Sequence, residues 1–600
     1  MFRISGRKPK GWSSLFTNSS EKEMDRSHLR NILLIVLGGL ALFLPFLGSV
    51  HLFDWDEINF AECAREMIVT DNYSQVQIDF QPFWEKPPLF IWMQALSMHA
   101  FGVNEFAARF PNAICGVITL LVIYSIGRRL YSERFGLLWA LVYAGSFLSF
   151  FYFKSGIIDP WFNLFIFAGI HYAIIHTNNP VGRSGAVSAL LSGAFIGLSV
   201  LTKGPVGLLI FGLTAIVYAV LRRFKGLTQF KYLLLFALSF AVFGFGWFLI
   251  EILKGNGAVV KEFIEYQVRL FNTKDSGHGG FLLYHFVILL IGCFPASVFF
   301  LLSHRRSESD TPYQKHFKRW MLILFWVVLI LFTIVKTKIV HYSSMCWFPL
   351  TFLSAYSIHK LIAGEFALKK WIWYTGITLT VLLGIVFVAL PFVDVLKPYI
   401  IKSGLIGDKF AVKNLEANGN WKGFEWIPGL LFLVGSVFIF IKLRNHPKVK
   451  MIPLLFGLSL FACFSISALI VPKVELYSQG AAIDFYQALK GKDVYLETLG
   501  FKSYAYLFYS EKRPELNTPE LVAYTKQQGE KEAKEGVFDP NTSFARYSVN
   551  YMCDADTIHK DAYLASKFMD AEWLLKARPK FKKLYEKNGF VFMKRNADNK

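Results

Sequence analysis

The sequence predicts an all-α, polytopic membrane domain of about thirteen transmembrane helices, followed by a small α/β domain at the C-terminal end. Three observations carry this. The 600 residues are 54% hydrophobic and 17% aromatic, yet only 18% are charged, where a soluble chain averages about a quarter. Apolar runs near the length that crosses ~30 Å of hydrocarbon recur along most of the chain. From about residue 473 onward the character changes to charged, with short strand-like and helix-like segments.

The spans are expected at 31–50, 106–127, 135–153, 160–176, 185–202, 205–221, 232–253, 281–303, 320–335, 343–362, 371–392, 426–442 and 452–471. In lipid the backbone must bond internally, so long apolar runs read as helices. The first run has no small-residue cleavage pattern after it and reads as a retained span rather than a removed signal peptide. Residues 1–30 form a basic tail, 31–472 the membrane domain with a large loop at 51–104, and 473–600 the α/β domain. In that domain, 479–489 has helical periodicity, whereas 493–497 and 590–593 resemble strands.

Charge sets the expected orientation. The tail carries Arg3, Arg7, Lys8, Lys10, Lys22, Arg26 and Arg30, and alternate loops carry clusters such as Arg128/Arg129/Arg134 and Arg222/Arg223/Lys225. The positive-inside rule puts these in the cytoplasm. The loop 51–104 and, after thirteen crossings, the C-terminal domain then face outward. The net charge of +21 is explained by inner loops, and no basic face interleaved with aromatics points to nucleic acid. The six cysteines form no C-x-x-C pair, which argues against a disulfide framework or a structural zinc site. No internal repeat supports an inverted-repeat transporter.

The outer loops hold the chemistry. The loop 51–104 is too long for a plain connector. Apolar residues at 58, 61, 64 and 68 predict an amphipathic helix lying along the membrane surface. Two readings of its acids stand side by side. Asp54 and Glu57 suit a capping box and Asp56 suits the helix dipole. Alternatively, Asp56 is a base or orienting carboxylate at the water–lipid boundary, with Glu57 holding the charge in place. Next come Trp84, Glu85 and Lys86 before Pro87 and Pro88. The apolar run 89–101 that follows is too short to span and reads as interfacial. Asp159-Pro160 opens one span, where an acid cap followed by proline is the plain reading. Lys203 closes another, and Arg269, His278, Lys336, Lys338 and Tyr342 lie in later outer loops. Any one outer lysine is explained by snorkelling. Lys86, Lys203, Arg269, Lys336 and Lys338 together, near Asp56 and Asp159, suggest a site for a lipid-borne phosphate or pyrophosphate.

The ordered set Asp56-Glu57-x-x-Phe60-Ala61-Glu62-x-x-Arg65-Glu66-Met67, Phe83-Trp84-Glu85-Lys86-Pro87-Pro88, Asp159-Pro160, Thr202-Lys203-Gly204 and Lys336-Thr337-Lys338 with Tyr342 resembles the membrane glycosyltransferases of GT-C fold. The nearest resemblance is to the bacterial lipid A aminoarabinose transferases, within a superfamily that includes protein O-mannosyltransferases. The motifs run in order from about residue 30 to 360. The resemblance implies an inverting glycosyltransferase with a polyprenyl-phosphate sugar donor and an extracytoplasmic lipid or protein acceptor. Asp56 matches the essential acid of the first loop and Asp159 the second acid, with Glu57 beside the first. Lys86, Lys203, Arg269, Lys336, Lys338 and Tyr342 match positions around the donor phosphate. In the aminoarabinose enzymes a divalent metal ion is associated with the acid before the loop lysine, here Glu85, and with a histidine of the long loop. This sequence departs there, since Tyr266 stands at the aligned position and His278 lies farther on. The expected acceptor is lipid A or another envelope glycolipid. The alternatives are protein O-glycosylation and, in another class, lipid or ion transport. Transport calls for charges at mid-span, whereas those noted here lie at helix ends.

Overall fold

The computed structural model describes residues 13–225, 228–272, 280–445, 449–534 and 540–598. Most of the chain is helical, and the protein is a multi-pass membrane protein. Among the described residues eight helices are long and apolar enough to cross a membrane, including Arg26–Phe43, Glu105–Leu130, Gly182–Lys203, Phe230–Leu253 and Pro312–Ile334. Their lipid-facing sides carry exposed Leu, Ile and Phe, as on Phe230–Leu253, where Leu233, Leu234 and Leu238 are all exposed. A helix that is apolar all round needs no inward stripe when its solvent is hydrocarbon.

Other expected spans take different forms. Asp159–Asn178 and Trp347–Ile362 are helices buried largely inside the bundle. Val206–Leu221 has only 16 residues. The run 135–153 is broken into Glu133–Ala144 and Phe147–Tyr152. At the break, a side chain on Gly145 would meet Phe456 at 2.9 Å, so close approach of another helix requires glycine. The run 281–303 is likewise split into Tyr284–Gly292 and Ala296–Phe300, around Pro295, which has no N–H to continue the ladder.

The first long loop is not a surface strip. Its helix Asp56–Thr70 is buried from Glu57 through Met67 on every face. The expectation of an amphipathic helix along the membrane is therefore corrected. Its glutamates are covered by protein rather than by water: Glu57 accepts from Arg109, Glu62 from Arg65, and Glu66 from the N–H groups of Asp79 and Phe80. Ile58, Ala61, Ala64 and Met67 share one core with Ile91 and Ala95 of the helix Leu89–Phe101 and with Ile483, Tyr486 and Leu507.

The C-terminal segment folds as a four-stranded sheet with helices. With the short hairpin β1 (Gln77–Ile78) and β2 (Gln81–Pro82) in the first loop, the larger sheet comprises β3 (Tyr495–Leu499), β4 (Ala562–Lys567), β5 (Lys582–Lys587) and β6 (Phe590–Arg595), in the order β3-β4-β6-β5. β3 and β4 are parallel, and the other pairs are antiparallel. Asn588 and Gly589, both at positive φ, join β5 to β6, the tight hairpin turn that Asn-Gly favours. The sheet segment is stitched to the first loop by Tyr509, whose hydroxyl accepts from the Leu52 N–H at 2.7 Å, and by Gln479, which donates to the Leu52 carbonyl at 2.8 Å.

Candidate functional site

The site forms where the first loop meets the ends of the helices beginning at Asp159 and ending at Lys203, and the turn Val340–Cys346. Several contacts hold these pieces together. Asn112 donates to the carbonyls of Ser155 and Ile157, both at 2.6 Å, which fixes the chain just before Asp159. Asn163, one turn further, donates to the Ser344 hydroxyl at 2.8 Å and so ties this helix to the turn that carries His341.

Asp159 is buried and accepts from the Lys203 ammonium at 2.6 Å through Oδ1, while Oδ2 has no hydrogen-bond partner among the described residues. Helix Gly182–Lys203 stops here because Gly204 turns at φ +108°, a conformation side chains resist. A Cβ there would also press on Phe263 at 3.1 Å. The stop therefore seats Lys203 beneath the helix Gly257–Asn272. The same ammonium lies 5.8 Å from the Tyr342 ring and 5.7 Å from that of Phe162, in reach of cation–π attraction.

Asp56 is the first residue of its helix and remains about a third exposed, with Oδ2 3.7 Å from His341 Nε2. Burial and the nearby Lys203 and Lys86 lower the His341 pKa, against the opposing pull of Asp159 and Asp56. The imidazole is therefore neutral at pH 7. Lys86 stands over the Tyr266 ring at 5.3 Å, and the Tyr266 hydroxyl reaches Glu85 at 3.4 Å. Asp56, Asp159, Lys86, Lys203, His341 and Tyr342 thus surround one region: two carboxylates, two ammonium groups and a neutral imidazole.

Four sequence assignments change or fall away. Glu57 accepts from Arg109 Nε at 3.0 Å, from Arg109 Nη2 at 2.8 Å, from the Phe53 N–H at 2.8 Å and from the Gly156 N–H. With every lone pair occupied, it is a structural tie rather than a reacting group. Asp54 does not cap the helix. The N-cap is Trp55, without a side-chain cap bond, because Asp54 turns toward the C-terminal domain. Lys338 donates to the carbonyls of Phe332, Thr333 and Val335 at 2.7–2.9 Å. It caps the end of the helix Pro312–Ile334, where unpaired carbonyls and the dipole attract a cation, and is spent there rather than on a phosphate. Lys336 is exposed and joins none of these contacts. The side chain of Arg269, on the helix Gly257–Asn272, and all of His278 lie outside the described residues.

Glu85 is engaged by Tyr266, and no group of three or more His, Cys, Asp or Glu residues suited to a metal occurs among the described residues. The described side chains do not make a metal centre. The residue that sequence reasoning passed over is His341. It stands inside the Lys336–Tyr342 loop, and a histidine beside several candidate ligands of one phosphate was the available signal.

Comparison with known proteins agrees with the fold. Residues 85–247 match the family described as dolichyl-phosphate-mannose-protein mannosyltransferase. The chain is similar to undecaprenyl phosphate-alpha-4-amino-4-deoxy-L-arabinose arabinosyl transferase 1 of Proteus mirabilis, 26% identical over 54% of this chain and 58% of that protein. A counterpart from an Enterobacter species is 25% identical over 57% of this chain and 62% of its own length. The chain thus matches less than two thirds of these relatives' length. The crystal structure of ArnT from Cupriavidus metallidurans bound to undecaprenyl phosphate superposes with a TM-score of 0.70 at 17% identity, over 94% of this chain and 97% of that one. The apo form of ArnT matches equally, at 0.70 and 15% identity over 95% and 98%.

Proposed function

On the premise of an ArnT-like, GT-C fold, we propose that the protein is an inverting glycosyltransferase. It moves a sugar from a polyprenyl-phosphate donor of undecaprenyl type to an acceptor at the outer surface of a bacterial inner membrane. The acceptor is lipid A or another envelope glycolipid. The N-terminal tail is cytoplasmic, and the C-terminal domain is periplasmic. The observation that carries this reading is the convergence of Lys86 and Lys203 with Asp56 and Asp159 at one end of the bundle. A lipid-linked phosphate reaches such a site with its tail still in the bilayer.

In the reaction the acceptor oxygen attacks the anomeric carbon on the face opposite the phosphate. The new C–O bond forms as the bond from that carbon to the phosphate oxygen breaks, and polyprenyl phosphate leaves. Lys86 and Lys203 offset the charge that grows on the departing phosphate, which electrostatic preorganisation makes effective without reorganisation. A hydroxyl acceptor gives its proton to Asp56 as general base, with neutral His341 alongside. A phosphate acceptor needs no base, and Asp56 then faces the positive charge at the anomeric centre.

A protein acceptor is the second reading, favoured by the match of residues 85–247 to a protein mannosyltransferase family. Mass spectrometry of lipid A and of envelope glycoproteins, from cells with and without the protein, separates the two. A sugar missing from lipid A in its absence supports the first. One missing from glycopeptides alone transfers the proposal to the second. Unchanged lipids and proteins in an active strain defeat both.

A further inference from the structure

A second concavity opens beside Asp54, two residues before Asp56. Its volume is about 470 Å³, within the range of small-ligand pockets. It lies between the C-terminal domain, the short helix Lys409–Asn414 and the start of the first loop. Aromatic rings form much of its wall: Phe410, Phe501 and Phe590, with Tyr477 at one end.

Its polar groups are the informative ones. Asn414 and Tyr486 are 5% and 1% exposed, and both line the cavity. Asn414 Oδ1 and the Tyr486 hydroxyl have no hydrogen-bond partner among the described residues. Buried polar atoms are ordinarily paired, and an orphan costs ~1–3 kcal/mol. Two orphans bordering one cavity therefore mark a place where a ligand or water completes the bonding. Asp54 adds a carboxylate, steered there by its own N–H donating to Gln479 at 3.2 Å.

This set discriminates between ligand classes. An acyl chain gains nothing from Asp54, Asn414 and Tyr486 and leaves them unpaired. A phosphate meets a carboxylate and an amide oxygen, both acceptors, with Lys567 as the lone cation on the wall. A sugar ring satisfies every wall at once. Its C–H face lies against aromatic rings, while its hydroxyls donate to Asp54 and Asn414 and accept from Tyr486.

We propose that this cavity is a saccharide site that holds the glycan portion of the acceptor. The proposal rests on the glycosyltransferase reading for its role in transfer, but the site's ability to bind a sugar is independent of that reading. Trp55 stacks on Tyr504 at 5.7 Å with its ring under Lys502. Asp54 lies on the cavity wall two residues before Asp56, so an acceptor held there reaches Asp56 from the side of the C-terminal domain.

The test uses the full chain in a detergent without a sugar head group. Deacylated lipid A is the probe, titrated by quenching of intrinsic tryptophan fluorescence. Binding is expected, weakened about tenfold by Asp54→Asn and by Tyr486→Phe, each of which removes one hydrogen-bonding group. Inorganic phosphate is expected not to displace the probe. Equal binding by both variants and the unaltered protein overturns the proposal, as does displacement by phosphate. If transfer occurs, the same variants raise KM for acceptor and leave KM for donor unchanged, and the reverse pattern also overturns it. A protein that binds the disaccharide through these residues but transfers nothing keeps the saccharide site and rejects the enzyme reading.

Discussion

The first-loop helix carries two kinds of acid within one short stretch, and their fates differ. At its start, Asp54 and Asp56 keep oxygens open to a cavity or to the site. Further along, Glu57, Glu62 and Glu66 are buried and engaged. Glu57 is bonded to Arg109, Glu62 is bonded by Arg65 at 2.5 and 2.7 Å, and Glu66 accepts from the Asp79 and Phe80 N–H groups at 2.6 and 2.8 Å. The difference teaches that acidity on this helix serves two purposes. The inner acids fix the helix, Glu57 to the bundle through Arg109, Glu66 to the hairpin of its own loop and Glu62 to Arg65 on the helix itself. The outer ones are held in place by that fixation yet remain free to act, which is what a preorganised site requires.

The sharpest way to break this contrast is at Asp56. Asp56→Asn is expected to lower transfer of radiolabelled sugar from a polyprenyl-phosphate donor by about 10²–10⁴-fold, the range for loss of a general base. Its melting temperature should stay within a degree or two of the parent. Normal transfer by a folded variant would remove Asp56 from the reaction.

Glu57→Gln should do the opposite. It leaves Arg109 buried with one charge partner fewer, a loss of about 3–5 kcal/mol. Lower yield and a lower midpoint of thermal unfolding in detergent are expected, with residual activity per folded molecule retained. A stable, inactive Glu57→Gln protein would instead put this residue among the reacting groups.

The lysines divide in the same manner. Lys203→Ala, which strips Asp159 of its partner, should raise KM for donor by about ten- to a hundredfold, in line with loss of a charged hydrogen bond of ~1.5–3 kcal/mol. Lys338→Ala should leave donor affinity alone and lower thermal stability, because its ammonium serves helix carbonyls. Donor titration at fixed acceptor, beside unfolding curves, separates the pair.

The smallest effects concern pH. At the seam between loop and domain, Lys512 bonds Asp79 at 2.6 Å, with Glu497 at 3.9 Å. Burial raises Glu497 to about 8, against the pull of Lys512. The folded state therefore holds a proton that the unfolded state releases near the ordinary carboxylate value. This contribution is whole below that value and is lost as pH rises through 8. Unfolding midpoints should fall between pH 6 and 9, and Glu497→Gln should flatten the profile. The saccharide cavity has the opposite sensitivity. The protein around Asp54 raises its carboxyl to about 6, opposed by a bond to Ser503. Its acceptor oxygen is thus lost on acidification. KM for acceptor should climb below pH 6, and Asp54→Asn should remove the dependence.

Much of the architecture was legible without coordinates. Runs of apolar residues revealed the helices because lipid demands internal bonding of every backbone group, a constraint that composition reports directly. Strands were anticipated at 493–497 and 590–593 and form at Tyr495–Leu499 and Phe590–Arg595, whereas β4 and β5 were not anticipated. The segment Ala562–Lys567 ends in Ser and Lys, and β5 is exposed throughout, so neither shows clean alternation. The helix breaks at Gly145 and Pro295 lay within apolar runs that read as continuous, because hydropathy averages over single residues.

By itself, then, the sequence determined the membrane class, the helical material, the small C-terminal domain and the chemical kinds of residue at the site. Asp56, Asp159, Lys86 and Lys203 were all identifiable as members of ordered motifs. Only the tertiary structure decided which members are free. Whether an acid acts or merely holds depends on what saturates its oxygens. For Glu57 that is Arg109, 52 residues away, and for Lys338 it is the end of a preceding helix. Asp54 faces a cavity whose walls come from residues more than 300 positions distant. The partners of Glu57 and the walls around Asp54 are set by packing between distant segments, and local pattern carries no record of them.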